Sequence, residues 1–361
     1  MRIYVDIGHP AYFHFMRNFM ERMKQKNHSF LVTCRDMDVT LDLLAFYNIS
    51  FIPRGKGAHT SPGRWAYALY FFVKHFWDIR KFNPDICVGI GSPYLVMMAY
   101  LLQRPGIVFE DTEIAKKILW IYKHFATVIL TPSCFQSGLG EKQLFLSSYK
   151  ELAYLHKDIF SPDPAIFQLL QLPPGAKYML FRFVSHQVNH DRPADGLTDA
   201  MKHTLIEKLS PYAHIFVSTE RGIKSPFPQY ELRVPPEQMH HVIAYAAAVI
   251  GESATMAAEA AVLGVPAIFF DNAGRGYTTE LGQKYQLVTS YGISDESVDH
   301  AINKAIAIIH QQNDLTFREN YFQLYRDTIN ITDFLVWFVE NYPESHSQMK
   351  KDPGYQFHFK S

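Results

Sequence analysis

Apolar residues along this chain recur with two alternating periods, and that alternation predicts the architecture. Arg2–Ile7 is a short β-rich run closed by Gly8 and Pro10, and Phe13–Lys26 then carries apolar residues at helical spacing. The pattern repeats. Strands are predicted at Ser29–Thr33, Ile49–Pro53, Ile86–Ile90, Gly106–Phe109 and Thr127–Thr131, with helices at Val39–Tyr47, Trp65–Lys81 and Tyr94–Gln103. Strands that alternate with helices imply a parallel sheet covered on both faces.

From Asp158 to Gly175 the pattern lapses and Pro162, Pro164, Pro173 and Pro174 cluster, which predicts a domain boundary. A second alternating series follows: strands at Tyr178–Phe183, His214–Ser218, Ala248–Ile250 and Pro266–Phe270, and helices at Gly196–Lys208, Pro236–Tyr245 and Ala254–Leu263. Asp295–His310 and Asp314–Tyr342 read as closing helices, and Pro343–Ser361 as a polar, loose tail. The expected fold class is α/β, with two doubly wound parallel-sheet (Rossmann-like) domains at 1–165 and 166–342 and a tail at 343–361. Ligands in such sheets sit beyond the carboxyl ends of the strands, so the site is expected in a cleft between facing domains.

Composition agrees with two domains, since 361 residues exceed what one hydrophobic core usually supports and a hydrophobic fraction of 48% can fill both. Lys plus Arg and Asp plus Glu are both 35, so no net field favours wrapping a polyanion; general nucleic-acid binding is disfavoured. Cys34, Cys87 and Cys134 are far apart and odd in number, giving neither a disulfide framework nor a zinc spacing, and a reducing cytoplasm fits them best. The opening MRIYVDIGHP reads as strand and turn rather than signal peptide, and the longest apolar run, Tyr94–Leu102, is too short to span a bilayer. A cytoplasmic protein is expected, free to touch the inner face of a membrane.

The stretch from Val249 to Phe270 carries the most chemistry. It reads as strand, small-residue turn, helix and strand. Gly251 lets the backbone turn sharply, and Ser253 and Thr255 place hydroxyls beside the free amides that open the helix, an arrangement suited to a diphosphate. Glu252 lies in the same turn. Glu259 is positioned to accept from paired ribose hydroxyls. The same residues also fit a plain N-cap at Ser253 and a solvated helix carboxylate at Glu259.

This segment resembles the donor-binding element of the GT-B superfamily of nucleotide-sugar enzymes, which includes peptidoglycan N-acetylglucosaminyltransferases and hydrolysing UDP-N-acetylglucosamine 2-epimerases. From Met1 to about Tyr291 the chain is similar to an uncharacterised prokaryotic family of GT-B-like proteins found in surface-polysaccharide settings. The shared pieces are Asp6-Ile-Gly-His-Pro10 with His14, Gly91-Ser-Pro93, Glu110-Asp111, Thr131-Pro132, Ser218 to Arg221 and Gly251 to Pro266. The resemblance implies a diphosphate on the Ser253-Ala254-Thr255 turn and ribose on Glu259, ahead of Gly264 and Pro266.

It also implies a role for the loop after the first strand, where transferases of this superfamily can supply a His as base to the acceptor hydroxyl; His9 and His14 are the candidates. Tyr12 stands where His is expected in many relatives. Both histidines equally fit structural roles, His9 shaping the turn and His14 packing on the first helix. Glu110 and Asp111 follow a strand, where an epimerase Glu works on the sugar ring, but Ser92 replaces the Asp of the epimerase pattern and a further acidic pair is missing. That favours transfer.

Arg182 and Ser185 could add a donor fork and a hydroxyl to the diphosphate site, and base contacts are expected near His240. His186, His190 and Asp191 resemble metal ligands by type but not by spacing. Arg275, between Gly274 and Gly276, suits a loop approaching sugar or phosphate, or a turn before a helix near Thr278. Helix Trp65–Lys81 carries Trp65, Tyr67, Tyr70, Phe71, Phe72, Phe76 and Trp77 among basic residues. Burial of most of these rings in the core is expected, with membrane contact as the alternative.

The expected function is transfer of a sugar from a UDP-type donor to a surface-polysaccharide or lipid-linked acceptor, without a metal or a cofactor. The alternatives are a hydrolysing 2-epimerase with Glu110 or Asp111 at the sugar ring, and a non-catalytic nucleotide-sugar-binding subunit.

Overall fold

The computed structural model describes residues 1–58, 61–184, 196–219, 226–311 and 314–360, without the side chains of residues 61, 62, 64 and 65. Two compact units form: Met1–Tyr154 with Thr328–Ser361, and Leu155–Asp327.

The first unit holds seven parallel strands: β1 (Arg2–Ile7), β2 (Ser29–Cys34), β3 (Ile52–Pro53), β4 (Ile86–Ile90), β5 (Gly106–Phe109), β6 (Val128–Pro132) and β7 (Gln143–Leu146). Their order is β3-β2-β1-β4-β5-β6-β7. Strands β4, β5 and β6 are buried at every residue, as continuous apolar runs covered on both faces must be. On one face Tyr4, Val108 and Ile129 share a core with Phe71 and Ile79 of helix Ser61–Phe82, Leu95 and Val96 of helix Pro93–Leu101, and Leu119 and Tyr122 of helix Lys116–Phe125.

The second unit has β8 (Tyr178–Arg182), β9 (His214–Ser218), β10 (Ala248–Gly251), β11 (Ala267–Phe270) and β12 (Val288–Tyr291), in the order β12-β11-β10-β8-β9 and again parallel. Helices Asp199–Leu209 and Asp295–His310 close one face around Phe181, Val217 and Ile250. Helix Ala254–Val262 is nearly all alanine on its packing sides, and Ala257, Ala258, Ala260 and Ala261 are all buried, so small side chains bring its backbone close to the sheet. Strand order reverses between β1 and β4 in one unit and between β8 and β10 in the other. Those are the switch points where open α/β sheets present a crevice at the carboxyl ends of their strands.

Three expectations about organisation change. The boundary falls after Tyr154 rather than at 165. The stretch 314–342 is not one closing segment of the second unit: it breaks into helices Leu315–Asp327 and Ile331–Glu340. Asn330 makes the break, its side chain accepting from the amides of Thr332 and Asp333 at 3.1 and 3.2 Å. Before it, the Tyr325 hydroxyl donates to the Val262 carbonyl at 3.0 Å; after it, Thr332 Oγ1 donates to the Ala153 carbonyl at 2.9 Å. Apolar periodicity shows that a helix has a buried face and not which core receives it.

Third, the expected loose tail is folded into helix Glu344–Lys351 and a 3-10 turn at Pro353–Phe359. Its polar composition hides three anchors: Tyr355 stacks on Trp337 at 4.9 Å, Phe359 meets Phe334 edge-on at 5.6 Å, and Gln356 accepts from the Ser147 amide at 2.7 Å.

Candidate functional site

In the second unit, β10 ends on Gly251, where a Cβ would lie 2.1 Å from the Arg182 carbonyl oxygen. Only glycine lets the ends of β8 and β10 come this close, and the Glu252 amide then donates to that same carbonyl at 3.0 Å. The chain turns at Ser253 into helix Ala254–Val262. Ser253 Oγ accepts from the Met256 amide at 3.3 Å, so the residue is an N-cap, as one sequence reading allowed. The amides of Ala254 and Thr255 have no acceptor among the described residues, and they lie at the positive end of the helix beside the β8–β10 switch point.

Farther along, buried Glu259 places Oε1 3.1 Å from Nε2 of buried His240, with the Phe160 ring edge-on to that imidazole at 6.2 Å. Glu259 is therefore no solvated helix carboxylate.

Other predicted donor residues stand at the same strand ends with additional duties. Arg182 Nη1 donates to Ser218 Oγ at 2.9 Å and to the Thr219 carbonyl at 2.8 Å, tying β8 to β9. Glu252 accepts from the amides of Leu197 at 2.6 Å and Val184 at 3.3 Å, fastening both ends of the segment that contains Ser185. Ser185 itself, with His186, His190 and Asp191, lies outside the described residues, as does Arg221. Arg275 occupies the N-cap position of helix Gly276–Gln283, after a turn in which Gly274 has φ 67°. The turn chemistry weighed in the sequence is thus present, with the helix starting two residues before Thr278.

In the first unit the carboxyl ends of the strands carry a dense polar network. Asp6, at the end of β1, is fully buried and meets four groups: Thr33 Oγ1 at 2.7 Å, Arg54 Nε at 2.8 Å and Nη2 at 3.1 Å, and Ser92 Oγ at 2.5 Å. Arg54 also donates to the Tyr67 hydroxyl at 3.1 Å and lies over the Tyr94 ring. Ser92 caps helix Pro93–Leu101. A Cβ on Gly91, at φ 60°, would strike the Tyr12 ring at 2.4 Å, so Tyr12 fills the space above β4.

His9 Nδ1 accepts from the Ala11 amide at 3.2 Å and caps the first helix, Pro10–Gln25, while His14 is buried with its ring 5.3 Å from that of Tyr154. Both histidines occupy the structural positions weighed in the sequence.

Glu110 and Asp111, after β5, are both buried and diverge as adjacent residues should. Glu110 accepts from the amides of Asp111 and Thr112, whereas Asp111 Oδ2 pairs with Lys150 Nζ at 2.6 Å; that ammonium also lies 3.0 Å from Glu151 Oε1. Two buried carboxyls, Asp111 and Glu151, therefore share one buried lysine, with Glu110 adjacent in the chain. Burial first, and the Asp111 charge second, push Glu110 up to about 8. Burial pushes Glu151 up to about 7 against the opposing pull of Lys150. The cluster holds a proton near neutral pH, which equips it for acid–base chemistry.

Arg54, Lys150 and Glu151 were missed in the sequence. Arg54 directly follows a predicted strand, and Lys150-Glu151 is an isolated charged pair before the apolar run Leu152–Leu155. Charges embedded in apolar context after strands were the available signal.

These two parallel sheets, each with a switch point, define an α/β protein of the GT-B fold. The chain belongs to the family described as "Protein of unknown function (DUF354)", whose model matches residues 1–332. No curated protein matches it in sequence. Among solved structures, it is similar to the S. aureus MnaA–UDP co-structure at 12% identity and TM-score 0.68, covering 95% of this chain and 97% of that one. It is similar to UDP-GlcNAc 2-epimerase from Neisseria meningitidis bound to UDP-GlcNAc at 12% identity and TM-score 0.66, covering 94% and 99%. It is also similar to Acinetobacter baumannii MurG at 13% identity and TM-score 0.55, covering 94% and 99%. At such identities these likenesses show the fold.

Proposed function

We propose that the protein is a glycosyltransferase that takes a nucleotide-diphosphate sugar, UDP-linked, on the turn from Gly251 to Thr255 and passes the sugar to a glycan or lipid-linked acceptor. The observation that carries this reading is the pair of helix-opening amides at Ala254 and Thr255, held at a switch point by a glycine that no larger residue can replace. Charge growing on the departing diphosphate is stabilised there by fixed donors. Glu259, oriented by His240, accepts from the ribose hydroxyls. The acceptor oxygen bonds to the anomeric carbon as the bond to the diphosphate breaks, and His9 or His14 takes the acceptor proton as base. The MurG and UDP-GlcNAc 2-epimerase likenesses are consistent with a nucleotide-sugar substrate.

One observation favours a second reading, hydrolysing 2-epimerisation. Glu151 beside Asp111, with proton-holding Glu110 close by, supplies acid–base groups that the sequence pattern lacked.

Titration calorimetry with UDP and UDP-GlcNAc tests the donor site, and no binding of either overturns both readings. Incubation with UDP-GlcNAc in the absence of acceptor separates them. Stoichiometric UDP with free 2-epimerised sugar identifies the epimerase; slow hydrolysis with unchanged sugar configuration supports transfer.

A further inference from the structure

Helix Ser61–Phe82 was expected to bury most of its rings, and it does so on one side only. Phe71, His75 and Ile79 face the core, whereas Leu69 is 68% exposed, Val73 69% and Trp77 69%, with Tyr70 also exposed. Residues 69, 73 and 77 are four apart and form a continuous apolar stripe on the outer side of a helix whose inner side is already packed.

The stripe has company. Helices Pro93–Leu101 and Lys116–Phe125 cover the same core, and they expose Tyr100, Leu101 and Trp120. Seven of the sixteen exposed large hydrophobics among the described residues thus come from one layer of helices between residues 69 and 120. Scattered single exposures need no explanation, but one layer that collects bulky aliphatics and tryptophans does.

Charge decides what covers this layer. The chain as a whole has no net charge, yet helix Ser61–Phe82 carries Lys74, Arg80 and Lys81 against Asp78 after its first turn, and helix Lys116–Phe125 carries Lys116, Lys117 and Lys123 with no acid. The cations flank the apolar stripe: Lys74 Nζ is 2.7 Å from the Tyr70 hydroxyl, and the Arg80 guanidinium is 6.0 Å from the Trp77 ring centroid. A protein partner core would exclude such lysines, whereas an anionic bilayer accepts both features, apolar side chains below the headgroups and cations among the phosphates.

We propose that this helical layer docks on the surface of an anionic lipid bilayer, with Leu69, Val73 and Trp77 entering the interface. No helix of the described residues is long and apolar enough to cross a membrane, so the contact is peripheral. The inference stands on the first unit alone and does not depend on the donor reading of the second.

Flotation of the full chain with phosphatidylcholine vesicles, with and without phosphatidylglycerol, tests it directly. The protein floats with the anionic vesicles, and binding falls as salt rises. The combined variant Leu69→Ser, Val73→Ser, Trp77→Ser lowers the partition coefficient by about tenfold or more, while Leu315→Ser, at an exposed apolar residue of the second unit, leaves it unchanged. Unaltered melting temperatures show that the variants are folded. A second variant, Lys74→Gln with Lys81→Gln, weakens only the salt-dependent part. Equal flotation of wild type and the triple variant overturns the proposal. So does a wild-type dimer in sedimentation that the triple variant abolishes without any vesicle binding, which assigns the layer to a second copy.

Discussion

Nε of Arg54 stands 2.8 Å from Oδ1 of Asp6, with both side chains sealed from water. The pair joins the ends of β1 and β3 and, through Thr33 and Ser92, those of β2 and β4, so four strand ends are fixed by one carboxylate. Removing one partner of such a pair leaves an uncompensated buried charge. Arg54→Leu is expected to destabilise the first unit by about 3–5 kcal/mol, read from denaturant unfolding. An unchanged midpoint would mean that the pair adds nothing to the stability of the first unit.

Gly251→Ala is expected to fail in a particular way. The added methyl would sit against the Arg182 carbonyl oxygen, so β8 and β10 must separate at the switch point. A loss of about 1–3 kcal/mol in stability should accompany loss of UDP binding by calorimetry. Full affinity in a stable variant would show that the close approach is dispensable.

Glu259 and His240 are expected to act as a unit. Glu259→Ala should weaken UDP binding by about 1–3 kcal/mol, and His240→Ala by less, because it removes an orienting group. In a double-mutant cycle the two losses should be non-additive. Strict additivity would deny that the imidazole orients the carboxylate.

The acid cluster predicts a pH signature with a definite sign. Glu110 titrates in the folded protein at about 8, well above its ordinary value of 4.5. Its contribution to stability is therefore fully present below that ordinary value and is lost as pH rises through the folded value. Glu110→Gln mimics the protonated form. The variant should match wild type in melting temperature near pH 4 and exceed it near pH 8.5, with a free-energy gain of a few kcal/mol at most. Parallel profiles for the two proteins would place the raised value elsewhere.

Much of this could be read in the chain. Continuous apolar strands such as Ile86–Ile90 and the Gly251–Pro266 element specify a parallel sheet and a helix N-terminus locally, so sequence reasoning reached them. Arg54 and Asp6 are 48 residues apart, and Lys150 and Asp111 are 39 apart. Those pairings arise only once strand order is set, which local periodicity does not encode. Edge strand β7 was missed because four residues with alternating exposure give too little pattern. Helix Ser61–Phe82 places most of its described rings in or against the core, as expected, but ring count says nothing about which ones, here Tyr70 and Trp77, face outward.

The excursion of the backbone into the second unit at Leu155 and its return at Thr328 bear on synthesis. Since Ile329 donates to the Ser147 carbonyl at 2.9 Å and Gln356 accepts from the Ser147 amide, the first unit is completed by residues translated after the whole of the second. A nascent chain leaving the ribosome therefore possesses a finished second unit while the first still lacks its closing helices. During that interval the earlier-made half is the one in need of protection from misassembly.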